Sequence, residues 1–184
     1  MGVTRQGRTE RGVHGGTRAR EDVAGRVQDA LDSAYRYLGR RDRTVAEVQK
    51  HLVETKLVDE VVAQEAIDVL LEQDYLNDAR FAQRFTEDRR NLDSWGNERI
   101  ERRLRELGIP RDLIGPALAS GAVRGELEAA VALLERRFGP GSFEDPRERQ
   151  RALGVLARKG FQLELAYDAI RRCAANDSPR SQAA

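Results

Sequence analysis

The side chains able to attack carbon, carry protons or bind metals are few in this chain, and they are scattered. There are two histidines, His14 and His51, and one cysteine, Cys173. A zinc site needs three or four ligands, and neither histidine has a carboxylate or cysteine partner at helical spacing, so both read as surface residues. Cys173 falls in the last helical pattern with no base near it in sequence. It reads as a small core residue, not a reactive thiol. No GxxxxGK[ST] loop is present to cradle a nucleotide. Aspartate and glutamate are spread along helix surfaces, where i,i+4 pairing explains them better than acid–base chemistry. These residues imply no catalytic group, no metal and no cofactor.

Arginine is the residue type in excess, supplying 29 of the 32 basic side chains. Its planar fork matches carboxylate and phosphate, so the chemistry it suggests is docking. Seven arginines cluster in the middle of the chain. Arg80 and Arg84 form an i,i+4 pair on one helix, Arg89 and Arg90 follow at its end, and Arg99, Arg102 and Arg103 lie on the next helix, away from its apolar stripe. These seven are the candidate partner-binding residues. Glu87, Asp88, Glu98, Glu101 and Glu106 are interleaved with them and compete for the same guanidiniums. Trp95, in the turn between the two helices, reads as a wedge within its own unit in preference to an exposed interface anchor. Tyr75, Phe81 and Phe85 have helical spacing and read as core.

The elements that must position these side chains come from a repeat. Val48, Leu52 and Leu57 are answered by Ile100, Leu104 and Ile109, and again by Ala152, Leu156 and Phe161, at a spacing of 52 residues. An Ala-aliphatic pair closes each copy: Ala66-Ile67, Ala117-Leu118 and Ala169-Ile170. The second and third copies align without a gap, and the first needs one extra residue. Self-similarity at such a period marks a repeat array in which each unit is a small supersecondary motif. The helical period predicts three helices per repeat and no strands. The fold class is therefore all-α: three tandem three-helix repeats, expected to form an elongated, curved array.

The expected divisions are a disordered Arg/Gly-rich tail over 1–22, repeats over 23–74, 75–121 and 122–175, and a frayed end over 176–184. Thr44-Val-Ala-Glu47 is a capping box. Asp59, Asp78 and Asp145 are the expected N-caps of later helices. Gly108 and Gly160 suit left-handed C′ positions. Pro110 is expected to open a helix at its first position, and Pro116 to shorten or kink it. Net charge is +1 although a third of the residues are charged, so non-specific nucleic-acid binding is not forced. One cysteine excludes an internal disulfide and suits a reducing, cytoplasmic setting. The N-terminus lacks a secretory h-region.

The stretch YLNDARFAQRFTEDRRNLDSWGNERIERRLRELGIP, Tyr75 to Pro110, resembles the central signature of the RecX regulatory proteins. The matching features are the Tyr-Leu-x-Asp opening, the Arg-Phe-Ala helix, the glycine before an Arg-Ile-x-x-x-Leu helix, and the Leu-Gly-Ile close. The flanking repeats resemble the family's outer repeats more weakly, and Pro116 and the Arg-rich start depart from its pattern. The resemblance implies a monomeric, non-enzymatic modulator of the RecA recombinase in DNA repair, homologous recombination and the SOS response. Such a protein binds the RecA–DNA filament and reduces ATP hydrolysis, strand exchange and co-protease activity. Contact with single- or double-stranded DNA through phosphates would accompany it. The alternatives are a direct DNA-binding helix-turn-helix-like protein, with Asn97 and the Arg99–Arg103 helix as reader, and an enzyme such as a nuclease or deaminase.

Overall fold

The structure, a computed structural model, describes residues 14–120, 125–139 and 143–177. Among these the chain is helical and has no strand. The first repeat comprises α1 (His14–Leu38), α2 (Val45–Lys50), which continues into a π-helical turn (His51–Thr55), and α3 (Glu60–Glu72). The second comprises α4 (Asp78–Asp93), α5 (Asn97–Glu106) and α6 (Arg111–Ala119). The third comprises α7 (Glu126–Phe138), α8 (Pro146–Lys159) and α9 (Leu163–Asp177). In each, the first and third helices pack together: α1 on α3, α4 on α6, α7 on α9.

Each repeat has its own core, as the apolar stripes require. Leu31, Val48, Leu52, Ile67 and Leu70 fill the first. Ile100, Leu104, Ile109 and Ile114 fill the second, and Leu134, Phe143, Leu156 and Ile170 the third. The closing alanines Ala66, Ala117 and Ala169 are all buried, where a larger side chain would push helices apart. Cys173 is buried in the third core. The chain divides into two compact bodies, Met1–Leu76 and Asn77–Ala184, so the second and third repeats share one body.

Helix α1 begins at His14, well before the expected start near Val23. Once Val27–Leu38 has nucleated a helix, extending it through Ala, Arg and Glu is cheap. The rest of the expected tail, and the chain after Asp177, lie outside the described residues. The Thr44 box forms as expected, with Glu47 N–H donating to Thr44 Oγ1 (3.1 Å) and Thr44 N–H donating to Glu47 Oε2 (3.2 Å). Asp59 and Asp145 cap α3 and α8 through Val61 N–H and Arg147 N–H. Asp78 does not cap α4. Asn77 does, accepting from Arg80 N–H at 2.9 Å, and Asp78 becomes the first-turn acid that favours the helix dipole. Pro110 sits at the N-cap of α6 instead of its first position, and α6 stays short, nine residues with Pro116 inside. Tyr75 is not core. It is 58% exposed and meets Tyr35 edge-on at 5.0 Å.

The extra residue of the first repeat has a structural address. In the second and third repeats, Ile109 N–H donates to Leu104 O and Phe161 N–H to Leu156 O. The preceding residues, Gly108 and Gly160, have φ of +81° and +83°. In the first repeat Val58 N–H makes this bond to Leu52 O, one residue further on, because the π-helical turn His51–Thr55 absorbs the insertion. Val58 is therefore the counterpart of Ile109 and Phe161. Leu57 takes the glycine's place, at φ +54° and 85% exposed, not the core place its apolar character suggested. A left-handed non-glycine residue is strained by roughly 1–2 kcal/mol. Leu57→Gly is accordingly expected to stabilise the first repeat by about 0.5–1 kcal/mol after glycine's entropy is deducted, read as a higher urea midpoint.

Glu47 carries a second prediction. Burial pushes its carboxyl up, but the Arg41 bond, the Thr44 amide and the charges of Arg41 and Arg43 outweigh this and hold it below its ordinary value. A depressed carboxylate contributes stability that is complete above its unfolded value and fades as pH falls through the folded one. Amides of α2 are expected to lose protection in that acid window. Glu47→Gln should remove the pH dependence and about 1 kcal/mol at neutral pH, measured by amide resonances of α2 in urea.

Candidate functional site

The arginine-rich segment folds around Trp95. Helix α4 ends at Asp93, and Ser94 adopts a left-handed φ of +52°, turning the chain so that Trp95 faces back over α4. Phe85 meets Trp95 edge-on at 6.3 Å and stacks on Phe81 at 6.1 Å. Arg99 lies over the indole at 4.1 Å from its centroid, and Arg89 at 5.6 Å. Arg89 also covers Phe85 (5.2 Å) and pairs with Asp93 at 2.5 Å. The wedge expectation for Trp95 therefore holds: it packs against the core of its own repeat, with two guanidiniums as cation–π partners.

Behind this cluster the second repeat is bolted to the third. Helix α8 ends at Lys159, and its last carbonyls need donors. Gly96 N–H donates to Lys159 O (2.8 Å), Glu98 N–H to Gly160 O (3.1 Å), and Arg99 Nη1 to Arg158 O (2.9 Å). Lys159 Nζ returns a bond to Asp93 O at 2.6 Å. The positive end of α5 thus meets the negative end of α8. The approach demands two glycines. A Cβ on Gly96 would lie 2.3 Å from Gly160 O, and one on Gly160 would lie 2.3 Å from Arg99 Cβ.

Arg90 closes the other side. Its Nη1 donates to Ser120 O (3.0 Å) and its Nη2 to Leu118 O (2.5 Å), satisfying the C-terminal end of α6, with a further bond to Asn97 Oδ1 (2.8 Å). Asn97 in turn donates from its backbone and its amide to Glu126 (2.8 and 2.6 Å). Burial pushes the Glu126 carboxyl up and Glu98 adds to this, while the Asn97 amide and Arg90 pull it back. Burial likewise lowers Arg90, against Glu126 and Glu87.

The seven arginines therefore separate into two groups. Arg89, Arg90 and Arg99 hold the fold. Arg80, Arg84, Arg102 and Arg103 are exposed, with Arg103 paired to Glu106 at 2.8 Å. Arg105, beside them, pairs with Glu101. Asn97, Glu126, Arg158, Lys159 and Gly160 all belong to the junction and were not singled out for it from sequence. Their partners are distant in the chain, and only the paired glycine stops Gly108 and Gly160 hinted at a recurrent close approach. Asn97 is held on both sides, so it is not free to read base edges, which removes the one non-arginine reader of the helix-turn-helix alternative.

No group of histidine, cysteine and carboxylate residues that could hold a metal exists among the described residues. No described helix is long and apolar enough to cross a membrane. Fold and site together define an all-α protein of three tandem three-helix repeats, with an arginine-rich middle repeat. Models of the RecX first, second and third three-helix domains match residues 30–70, 77–118 and 125–170. The chain is 35% identical over 142 residues to the regulatory protein RecX of Trichlorobacter lovleyi, covering 74% of this chain and 90% of that one. It is 30% identical over 165 residues to the regulatory protein RecX of Mycolicibacterium smegmatis, covering 87% of each. The crystal structure of RecX from Lactobacillus salivarius shares the fold, with a TM-score of 0.73 at 24% identity over 82% of this chain and 97% of that one. The chain belongs to the RecX family of regulatory proteins.

Proposed function

We propose that this protein binds the RecA–DNA filament and restrains it, lowering RecA ATP hydrolysis, strand exchange and co-protease activity, and that it catalyses no reaction itself. The observation that carries the reading is the family signature Tyr75–Pro110, present within a threefold helical repeat that matches all three RecX domains. Tandem repeats give a large contact surface for their mass, suited to a polymeric partner. The exposed guanidiniums Arg80, Arg84, Arg102 and Arg103 are the contacts proposed for acidic side chains or phosphates of that partner. Steering by such charges makes binding salt-sensitive. The site of action is the cytoplasm, where such filaments form.

The test uses filaments of the same organism's RecA on immobilised single-stranded DNA. Wild-type protein is expected to be retained, and a variant with Arg80, Arg84 and Arg102 changed to glutamate to be retained at least about tenfold less well, with an unaltered melting temperature. Equal retention of the folded variant would place the contact elsewhere on the molecule.

A further inference from the structure

The first repeat carries an aliphatic side chain that its own fold does not use. Leu57 is 85% exposed and holds a φ of +54°, at the place where the second and third repeats have Gly108 and Gly160. An exposed leucine alone carries no message, since folded proteins leave much apolar surface in water. A leucine kept exposed in a conformation that glycine adopts freely is a different case. The free fold loses stability by it, and unrelieved backbone strain gathers at sites that bind. Leu57 also forms part of the wall of an open cavity of about 370 Å³ between α1 and the start of α3. The apolar lining of that cavity comes from Ala30, Val58 and Val62. Val61, four residues on in the first turn of α3, is 66% exposed.

The charged residues around the cavity are unbalanced. Arg26, Arg36 and Lys56 line it, are exposed, and form no ion pair among the described residues. Arg36 commits only its Nε, to Asp32 O at 3.0 Å. Of the two carboxylates that line the cavity, Asp59 already accepts from Val61 N–H as the cap of α3, which leaves Asp29. A polyanion would match the three cations but leave Leu57 and the apolar lining in water. A purely apolar segment would cover the lining and leave the cations unmatched. An apolar side chain flanked by aspartate or glutamate satisfies both.

We propose that this cavity, with Leu57 as its anchor, docks an acidic protein segment bearing a large apolar side chain, presented by the RecA subunits of the filament. The contact rests on the filament reading of function and involves none of the guanidiniums of the middle repeat. The partner's apolar side chain enters between α1 and α3 and packs on Leu57, Val58 and Val62. Its carboxylates meet Arg26, Arg36 and Lys56, which orient the segment and speed its arrival. Docking removes Leu57 from water, and that gain offsets a conformation that destabilises the free protein.

The experiment measures retention of the whole chain by filaments of the same organism's RecA on immobilised single-stranded DNA, and by the bare DNA. Leu57→Gly is the decisive variant, because it is expected to be more stable than wild type, so weaker binding cannot come from misfolding. It should be retained by filaments at least about tenfold less well while its urea midpoint rises. Leu57→Met, equally strained and still apolar, should be retained within about twofold of wild type. Arg26→Glu combined with Lys56→Glu should weaken retention about tenfold without loss of helicity. Bare DNA should hold wild type and Leu57→Gly alike. Equal retention of wild type and Leu57→Gly by filaments overturns the proposal and leaves the filament reading standing, whereas failure of wild type to be retained overturns both. Weaker hold of Leu57→Gly on bare DNA would assign the cavity to nucleic acid. Self-association of wild type that Leu57→Gly abolishes, seen by sedimentation, would assign it to a second copy. Either result overturns the proposal, as does a loss in Leu57→Met as large as that in Leu57→Gly or wild-type retention of the Arg26 and Lys56 double variant.

Discussion

A Gly96→Ala variant is expected to lose about 3 kcal/mol or more of the stability of the Asn77–Ala184 body, a magnitude reserved for backbone-level overpacking. The added methyl would meet Gly160 O at 2.3 Å and Phe161 N at 2.5 Å, both main-chain atoms that cannot swing aside. Relieving the clash separates α5 from α8 and breaks the bonds from Gly96 N–H and Glu98 N–H to the end of α8. Two carbonyls there, Lys159 O and Gly160 O, then lose their donors. Trp95 is the only tryptophan and sits beside the junction, so its fluorescence in a urea titration reports the loss directly. Gly115→Ala is the matched control. A Cβ there has nothing within 4 Å beyond its chain neighbours, and the gain in helix propensity is opposed by Pro116, whose ring disfavours a helical residue with a Cβ before it, so stability should change by less than about 1 kcal/mol. A wild-type midpoint for Gly96→Ala would show that the two repeats do not meet as described.

The second large effect is expected at Arg90. Replacing it with leucine leaves Leu118 O, Ser120 O and Asn97 Oδ1 without their donor and removes the cation that offsets Glu126. Breaking a partly buried charged network from one side costs about 3 kcal/mol. Arg90→Lys should recover part of this, since one ammonium cannot span three acceptors that a fork reaches. The pH dependence follows from Glu126. Its folded value is already raised by burial, so its contribution is complete below the unfolded carboxylate value and declines as pH rises through the raised one. Without Arg90 that decline should deepen, and Arg90→Leu should be closest to wild type in acid. Arg102→Ala provides the contrast. As an exposed side chain with no ion pair among the described residues, it should change stability by less than about 0.5 kcal/mol.

What the sequence disclosed and what it hid divide along the range of the interaction. The Thr44 box and the Asp59 and Asp145 caps need partners two or three residues away, and all three formed where their spacing put them. The three separate cores followed from stripes that each helix carries by itself. Leu57 misled because an apolar residue at a repeating position looks like core, and a π-helical turn leaves no mark in residue type. Asp78 reads as the cap of α4, but the neighbouring Asn77 takes that place, and local chemistry ranks the two side chains equally. Arg90 and Arg99 read as surface because their acceptors are main-chain carbonyls 28 and 59 residues away, which carry no sequence signature. Gly96 was legible as a turn glycine, but not as the point where two repeats touch. His51 reads from sequence as a surface histidine, and its stack on Tyr37 required the fold to bring α1 against the π-helical turn.

This division also bears on function. A charge run marks a helix surface without saying which charges face a partner. Internal acceptors claimed Arg89, Arg90 and Arg99, leaving Arg80, Arg84, Arg102 and Arg103 on exposed positions. Variants of the first group should fail through folding, and variants of the second through binding with the fold intact. Melting and filament retention measured together on the same proteins separate the two.

The most direct measurement is the rate of single-stranded-DNA-dependent ATP hydrolysis by the same organism's RecA, titrated with this protein. The account predicts a saturable fall in rate, and a requirement for at least about tenfold more of the Arg80, Arg84 and Arg102 to glutamate variant to reach half effect. An unchanged rate at stoichiometric excess of folded wild-type protein would contradict it.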